Sequence, residues 1–221
     1  MPGTKLLETV TLPDGNEMSL IRWDKHVAIH VGERPLMSSH EHGSEDALGR
    51  LVGERLAHLS APRALIGGLG LGFTLRAALD TLPAKARLVV AELLEDVVRW
   101  NRGAHGKYSK HPLTDGRVKV IVGDVSHVIA KAKAQYDAIV LDVDNGPDAL
   151  THRSNAGLYK RAGLLRMRRA LRPGGFVAIW SAFPSRTFTL WLRECGFAVE
   201  LLRPAPTTKG GPRYYIWVAR K

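Results

Sequence analysis

The stretch Ala64-Leu65-Ile66-Gly67-Gly68-Leu69-Gly70-Leu71-Gly72 sets a short apolar run directly against four glycines within six positions. It reads as a brief buried strand, a tight turn and the start of a helix over Phe73 to Leu82, with Pro83 just beyond the helix end. Glycine lets backbone approach a bound group without a Cβ in the way. The helix N-terminus beneath such a turn favours an anionic group. A tight turn required for packing alone is the plainer alternative, but glycines at alternate positions exceed what packing usually needs.

Downstream, the same strand-then-helix unit repeats. Arg87 to Ala91 is a second strand closed by Glu92, and Leu93 to Arg102 is a helix followed by a polar loop from Gly103 to Gly116. Val118 to Val122 ends at Gly123-Asp124, with Val125 to Lys133 helical behind it. Asp137 to Leu141 ends at Asp142, Ala156 to Leu171 is helical, and Pro173-Gly174-Gly175 separates that helix from a fifth strand over Phe176 to Trp180. Such alternation predicts a parallel sheet with helices on both faces. After the helix Arg186 to Glu194, the strands Phe197 to Leu202 and Tyr214 to Ala219 follow with no helix between them. Neighbours joined only by a loop pair antiparallel, because a parallel crossover needs a dozen or more residues. The expected fold is therefore α/β and Rossmann-like, of the class I methyltransferase type, with a mostly parallel seven-stranded sheet and an antiparallel C-terminal hairpin strand.

Upstream, Leu6 to Leu12, Met18 to Trp23 and Val27 to Val31 read as short strands, the first two joined by the turn Pro13-Asp14-Gly15-Asn16. A small β meander over residues 1–42 precedes an α/β unit over residues 43–221. Its first helix spans Gly43 to Leu59, with Ser44 as N-cap and Glu45 and Asp46 in the first turn.

In an open parallel sheet, ligands bind beyond the carboxyl ends of the strands, near the reversal of strand order. The residues at those ends here are Gly67, Gly68, Gly70, Gly72, Glu92, Asp124, Val125 and Asp142. Glu92 can accept hydrogen bonds from two ribose hydroxyls, and Asp124 is placed for an adenine amino group, since an ionised carboxylate is acceptor-only. Together with the glycines, these acids predict a pocket for an S-adenosylmethionine-type nucleoside. A nicotinamide site fits worse. A G-x-G-x-x-G fingerprint begun at Gly68 puts Phe73 at the third glycine, and one begun at Gly70 puts Leu75 there. A Walker loop fails because no Gly-Lys-Ser or Gly-Lys-Thr occurs in the turn.

Asp142-Val143-Asp144-Asn145-Gly146-Pro147 is the candidate catalytic segment, with Asp142 ahead of Asp144. A sulfonium donor is already activated, so the protein must chiefly align an acceptor and take its proton, which a carboxylate can do. The same residue types also make ordinary turns.

Bulk properties narrow the classes. The 221 residues are 45% hydrophobic and 24% charged, ordinary for a globular chain. No apolar run approaches the roughly 20 residues of a spanning helix. Met1 to Leu7 lacks the pattern of a secretory signal, so a cytoplasmic protein without membrane contact is expected. Cys195, the single cysteine, rules out an internal disulfide. His40 and His42 flank Glu41 without an obvious third ligand, and no metal is expected. The net charge of +11 raises the local concentration of anions. It makes nucleic acid a candidate partner, and a non-catalytic nucleic-acid binder an alternative function, but no recognition motif accompanies the charge. Trp180 and Trp191 are expected to serve packing, and Tyr214 and Tyr215 to point to opposite faces of the last strand.

From Arg63 to Ser181 the chain resembles the spermidine synthase family, aminopropyltransferases built on the methyltransferase fold. Ala64 to Gly72 is similar to that family's nucleoside loop, Glu92 to its ribose-binding acid, Gly123-Asp124 to its adenine-side acid, and Tyr136 to Pro147 to the segment carrying its catalytic Asp, which would be Asp142. Leu158-Tyr159 and Leu171 to Gly175 match the following helix and Pro-Gly-Gly turn. The resemblance implies S-adenosylmethionine or its decarboxylated form as donor, a small-molecule acceptor such as a polyamine, and a homodimer. Three departures bear on chemistry. Leu69 and Leu71 occupy the loop where the family has an Asp for the aminopropyl amine. Glu45-Asp46-Ala47 stands at its Tyr-His-Glu acceptor motif. The spacing of its paired aspartates is altered in Asp142-Val143-Asp144. On these grounds methyl transfer to an unidentified acceptor is the first expectation and aminopropyl transfer to a polyamine the alternative.

Overall fold

The computed structural model describes residues 3–12, 15–143, 156–204 and 213–221. The chain opens with a four-stranded antiparallel sheet in sequence order: β1 (Thr4–Thr11), β2 (Glu17–Trp23), β3 (His26–Val31) and β4 (Arg34–Ser38). The fourth strand exceeds the sequence expectation. Pro35 disguises it, because proline cannot donate to a ladder and is tolerated only at an edge or a bulge. Here β4 is the edge, and its pairing slips between Ile29 and His30.

Helix α1 (Gly43–Leu56) leads into the second sheet. The succession is β5 (Arg63–Gly67), α2 (Phe73–Thr81), β6 (Arg87–Glu92), α3 (Glu95–Arg102), β7 (Val118–Val122), α4 (Val125–Lys131) and β8 (Tyr136–Leu141). It continues with α5 (Ala156–Tyr159), α6 (Arg161–Ala170), β9 (Leu171–Ser181), α7 (Arg186–Glu194), β10 (Ala198–Leu202) and β11 (Tyr215–Arg220). The strand order is β10-β11-β9-β8-β5-β6-β7. The pairings among β5 to β9 are parallel, and β11 runs antiparallel to both β9 and β10. This is the Rossmann-like class I methyltransferase arrangement, with its reversal of order between β5 and β8.

Every residue of β8 is buried, as a central strand covered on both faces requires. One apolar cluster, on one face, joins Leu20 and Ile29 of the meander to Leu48 and Val52 of α1 and Leu75 and Leu79 of α2. The other gathers Ile129, Leu164, Met167, Phe188 and Leu192. The meander therefore packs on the same face as α1 and α2, above the carboxyl end of β5.

Some local expectations are corrected. The helix expected from Ala156 to Leu171 breaks at Lys160, which is extended with ψ 162°. Gly163 then sits so close to the break that an added Cβ would lie 2.2 Å from the Leu158 carbonyl oxygen. Strand β9 begins at Leu171, ahead of Pro173-Gly174-Gly175, so that turn is a register shift inside the strand rather than a separator. The Gly103–Gly116 loop holds two 3-10 turns, Ala104–Ser109 and Pro112–Thr114. His42, not Ser44, occupies the N-cap of α1, and the Ser44 hydroxyl instead donates to the Glu45 carboxylate.

Candidate functional site

The carboxyl ends of β5, β6, β7 and β8 are tied together by backbone hydrogen bonds. Gly68 N donates to Ala91 O at 2.9 Å, Gly123 N to Glu92 O at 2.7 Å, and Asp142 N to Gly67 O at 3.0 Å. These bonds hold the strand-end residues around one cavity, lined by Gly68, Gly70, Glu92, Asp124, Val125 and Asp142. Beyond Glu45 and Trp180, the rest of the wall is largely apolar and includes Ile29, Met37 and Leu94.

The glycine turn runs in the left-handed region, with φ of 87° at Gly68, 51° at Gly70 and 86° at Gly72, where residues with a side chain are strained. A Cβ on Gly68 would fall 2.3 Å from the Asp142 carbonyl oxygen, and one on Gly70 would fall 2.5 Å from Met37 Sδ. Met37 Sδ also accepts the Leu71 N–H at 3.1 Å, so β4 of the meander seals this side of the turn. Gly67 and Gly72 do not line the cavity. Gly67 packs on Val125 and Leu141, and Gly72 is the N-cap of α2 against Asn101 and Ser109.

Glu92 is buried, and burial pushes its carboxyl above the usual carboxylate range while backbone N–H donors pull it back. Its Oε2 accepts from Leu69 N at 2.8 Å and its Oε1 from Leu94 N at 3.0 Å. A carboxylate offers about four lone-pair sites, so these bonds orient Glu92 and leave acceptor capacity toward the cavity. Asp124 caps α4 through Oδ1, which accepts from Ser126 N at 2.7 Å. Asp142 accepts at Oδ2 from Thr74 Oγ1 at 2.7 Å, and desolvation raises its carboxyl above the ordinary range. Asp144 and the rest of the Asn145-Gly146-Pro147 segment lie outside the described residues.

The side chain that sequence reading missed is Glu45. It faces the cavity from the first turn of α1 and is buried. Burial, then the nearby Asp142 carboxylate, push its carboxyl up to about 7, against the Ser44 hydroxyl. A signal existed. Glu45 falls on the buried stripe of α1 with Leu48, Gly49, Val52 and Leu56, where a charged residue has no packing reason to be.

A second cavity adjoins the first and shares Leu36, Met37, Glu45 and Trp180 with it. His40, His42 and Tyr214 also line it. His42 stacks on Phe73 at a centroid distance of 3.8 Å and pairs with Asp46 at 3.0 Å, which raises its pKa. Trp180, expected to serve packing alone, faces both cavities, and its indole N–H has no partner among the described residues. Trp191 is 42% exposed rather than packed, whereas Tyr214 is buried and Tyr215 half-buried, as the alternation of a strand requires. Among the described residues no group of three His, Cys, Asp or Glu is disposed to hold a metal, and no helix is long and apolar enough to cross a membrane.

This fold has counterparts among known proteins. No family model matches the chain. A polyamine aminopropyltransferase of Nitrosomonas europaea is 34% identical over 134 residues, which are 57% of this chain and 39% of that protein. The chain also overlays a spermidine synthase solved with the transition state analogue AdoDATO, with a TM-score of 0.75, 16% identity and coverage of 98% of this chain and 72% of that one. The chain shares the spermidine synthase fold. The Thermotoga maritima spermidine synthase agrees, with a TM-score of 0.76, 16% identity and coverage of 98% and 73%. So does a probable spermidine synthase of Corynebacterium glutamicum, at 0.69, 21% identity and coverage of 100% and 81%. The chain spans 39% of the length of the curated relative that it matches. The structural likeness covers 98% of the chain, the meander included.

Proposed function

We propose that this chain is a spermidine synthase-type aminopropyltransferase, moving an aminopropyl group from decarboxylated S-adenosylmethionine to an amine of the polyamine class. The observation that carries this reading is the charge of the cavity wall. In a chain of net charge +11, the described lining residues include Glu45, Glu92, Asp124 and Asp142 and no Lys, Arg or His. At about 4–6 Å and an effective dielectric of about 20, each carboxylate acts on a unit charge with roughly 3–4 kcal/mol. An acid-walled cleft therefore favours a donor whose tail ends in an ammonium over one that also carries a carboxylate. It favours a cationic acceptor for the same reason.

The expectation of methyl transfer rested on leucines 69 and 71 in place of a loop Asp. Both side chains are buried, at 5% and 1% exposure, so the loop presents only backbone to the cavity. Glu45 and Asp142 supply the missing negative charge. In this reading Glu92 receives the ribose hydroxyls and Asp124 the adenine amino group. Gly68 and Gly70 admit the nucleoside against backbone, and Val125 supports its ring. Asp142, held by Thr74, orients the acceptor nitrogen in line with the reacting carbon. The positive charge passes from sulfur to nitrogen during transfer, and carboxylates beside that nitrogen stabilise the change.

The test is product identity. Incubated with decarboxylated donor and an α,ω-diamine, the protein is expected to release methylthioadenosine and the aminopropylated amine. Release of S-adenosylhomocysteine with a methylated acceptor, from S-adenosylmethionine alone, would return the reading to methyl transfer.

A further inference from the structure

Glu45 has no assigned role by resemblance, because it stands in a segment where the spermidine synthase motif is not reproduced. Its position nevertheless puts it on the wall shared by the two cavities, near enough to Asp142 for the two carboxylates to interact. A donor seated on the glycine turn and an acceptor entering past His42 and Tyr214 meet at that wall. Asp142 already has one oxygen engaged by Thr74 Oγ1 at 2.7 Å. The Glu45 carboxylate is held locally, by the hydroxyl of the adjacent Ser44 and by its own backbone N–H. We propose that Glu45 is the general base that takes the proton from the acceptor's ammonium, while Asp142 aligns the nitrogen. This rests on the aminopropyl-transfer reading above.

The step balances. An acceptor arrives as RNH3+ and gives one proton to the Glu45 carboxylate. The freed lone pair attacks the methylene carbon next to the sulfonium, the carbon–sulfur bond breaks, and its electron pair returns to sulfur as a neutral thioether. The product leaves as a secondary ammonium, and the proton on Glu45 passes to water through the second cavity. The work suits Glu45 because its carboxyl titrates at about 7, so it is largely ionised above neutrality yet holds a proton well. The groups facing it are Asp142 from the end of β8, His42 and the Ser44 hydroxyl from the start of α1, and Tyr214 from ahead of β11. Burial and then the Asp142 carboxylate raise it, and the Ser44 hydroxyl, its own backbone N–H and His42 lower it.

The experiment is steady-state kinetics of the full chain with decarboxylated donor and 1,3-diaminopropane, putrescine or cadaverine, from pH 5.5 to 9.5, for the wild type, Glu45→Gln and Glu45→Asp. Glu45→Gln is expected to lower kcat about a hundredfold, the low end of general-base effects of about 10²–10⁴. It should also abolish the acidic limb near pH 7, with kcat read at saturating donor so that the weaker donor binding expected from the loss of one wall charge does not enter. Glu45→Asp should restore part of kcat and the limb, which a loss of packing alone would not do. A wild type that transfers to a diamine, with Glu45→Gln keeping its kcat and pH profile, overturns this proposal and spares the function. A wild type inactive with all three diamines overturns the function and this proposal together.

Discussion

Asp142 is fixed on one side by Thr74 and exposed on the other to the cavity, so charge and shape can be separated there. Asp142→Asn keeps the volume and an acceptor for the Thr74 hydroxyl while removing the charge. Turnover at saturating donor is expected to fall by about 10²–10⁴; unchanged turnover would remove Asp142 from the chemistry. Glu45 allows a different check, on stability. Its carboxyl is raised in the fold from 4.5 to about 7, so the folded state binds the proton more tightly than the unfolded one. The sign follows: the fold loses stability as pH rises from about 4.5 to about 7, and the loss is complete above that. Glu45→Gln lacks this dependence. Urea unfolding should show the variant gaining about 2–3 kcal/mol on the wild type between pH 5 and pH 8, and a constant difference would mean that Glu45 titrates normally. Glu92, Asp124 and Asp142 were legible in the sequence because successive parallel strands must end on the same edge. Glu45 showed only as a charge on the buried stripe of α1, which by itself does not say which cavity the side chain faces.

Helices α1 and α2 pack closely enough to leave no room for a Cβ at Gly49, which would fall 2.4 Å from the Thr74 carbonyl oxygen and 2.8 Å from Ala78 N. Those are backbone atoms of α2, and Thr74 is the residue that holds Asp142. The helix contact and the site are thus one mechanical unit. Gly49→Ala is expected to destabilise the protein by about 1–3 kcal/mol and to lower kcat more than it changes donor affinity. Full stability in denaturant titration would show that the helices have slack. Most elements were readable from alternation and glycine punctuation, including the antiparallel end of the sheet. Three local misreadings have physical causes: Pro35 hides an edge strand, the apolar stripe runs on through Lys160 where packing breaks the helix, and Pro173-Gly174-Gly175 sits inside β9 as an irregularity the ladder tolerates.

The molecule is basic outside and acidic in its cleft, and the two facts answer different questions. Net charge of +11 drew attention to nucleic acid, but the cavity wall carries four carboxylates and none of the described cations. The meander completes that wall, with Met37 over the glycine turn. Met37→Ala should open the roof and weaken donor binding about tenfold, or about 1.4 kcal/mol, in calorimetric titration, and an unchanged affinity would leave the meander a bystander. On the aminopropyl-transfer reading, such a cleft selects a donor ending in an ammonium. The most direct test of that selection is a paired titration of the protein with decarboxylated S-adenosylmethionine and with S-adenosylmethionine in one buffer. At least tenfold tighter binding of the decarboxylated form is expected, and equal or tighter binding of S-adenosylmethionine would contradict the account.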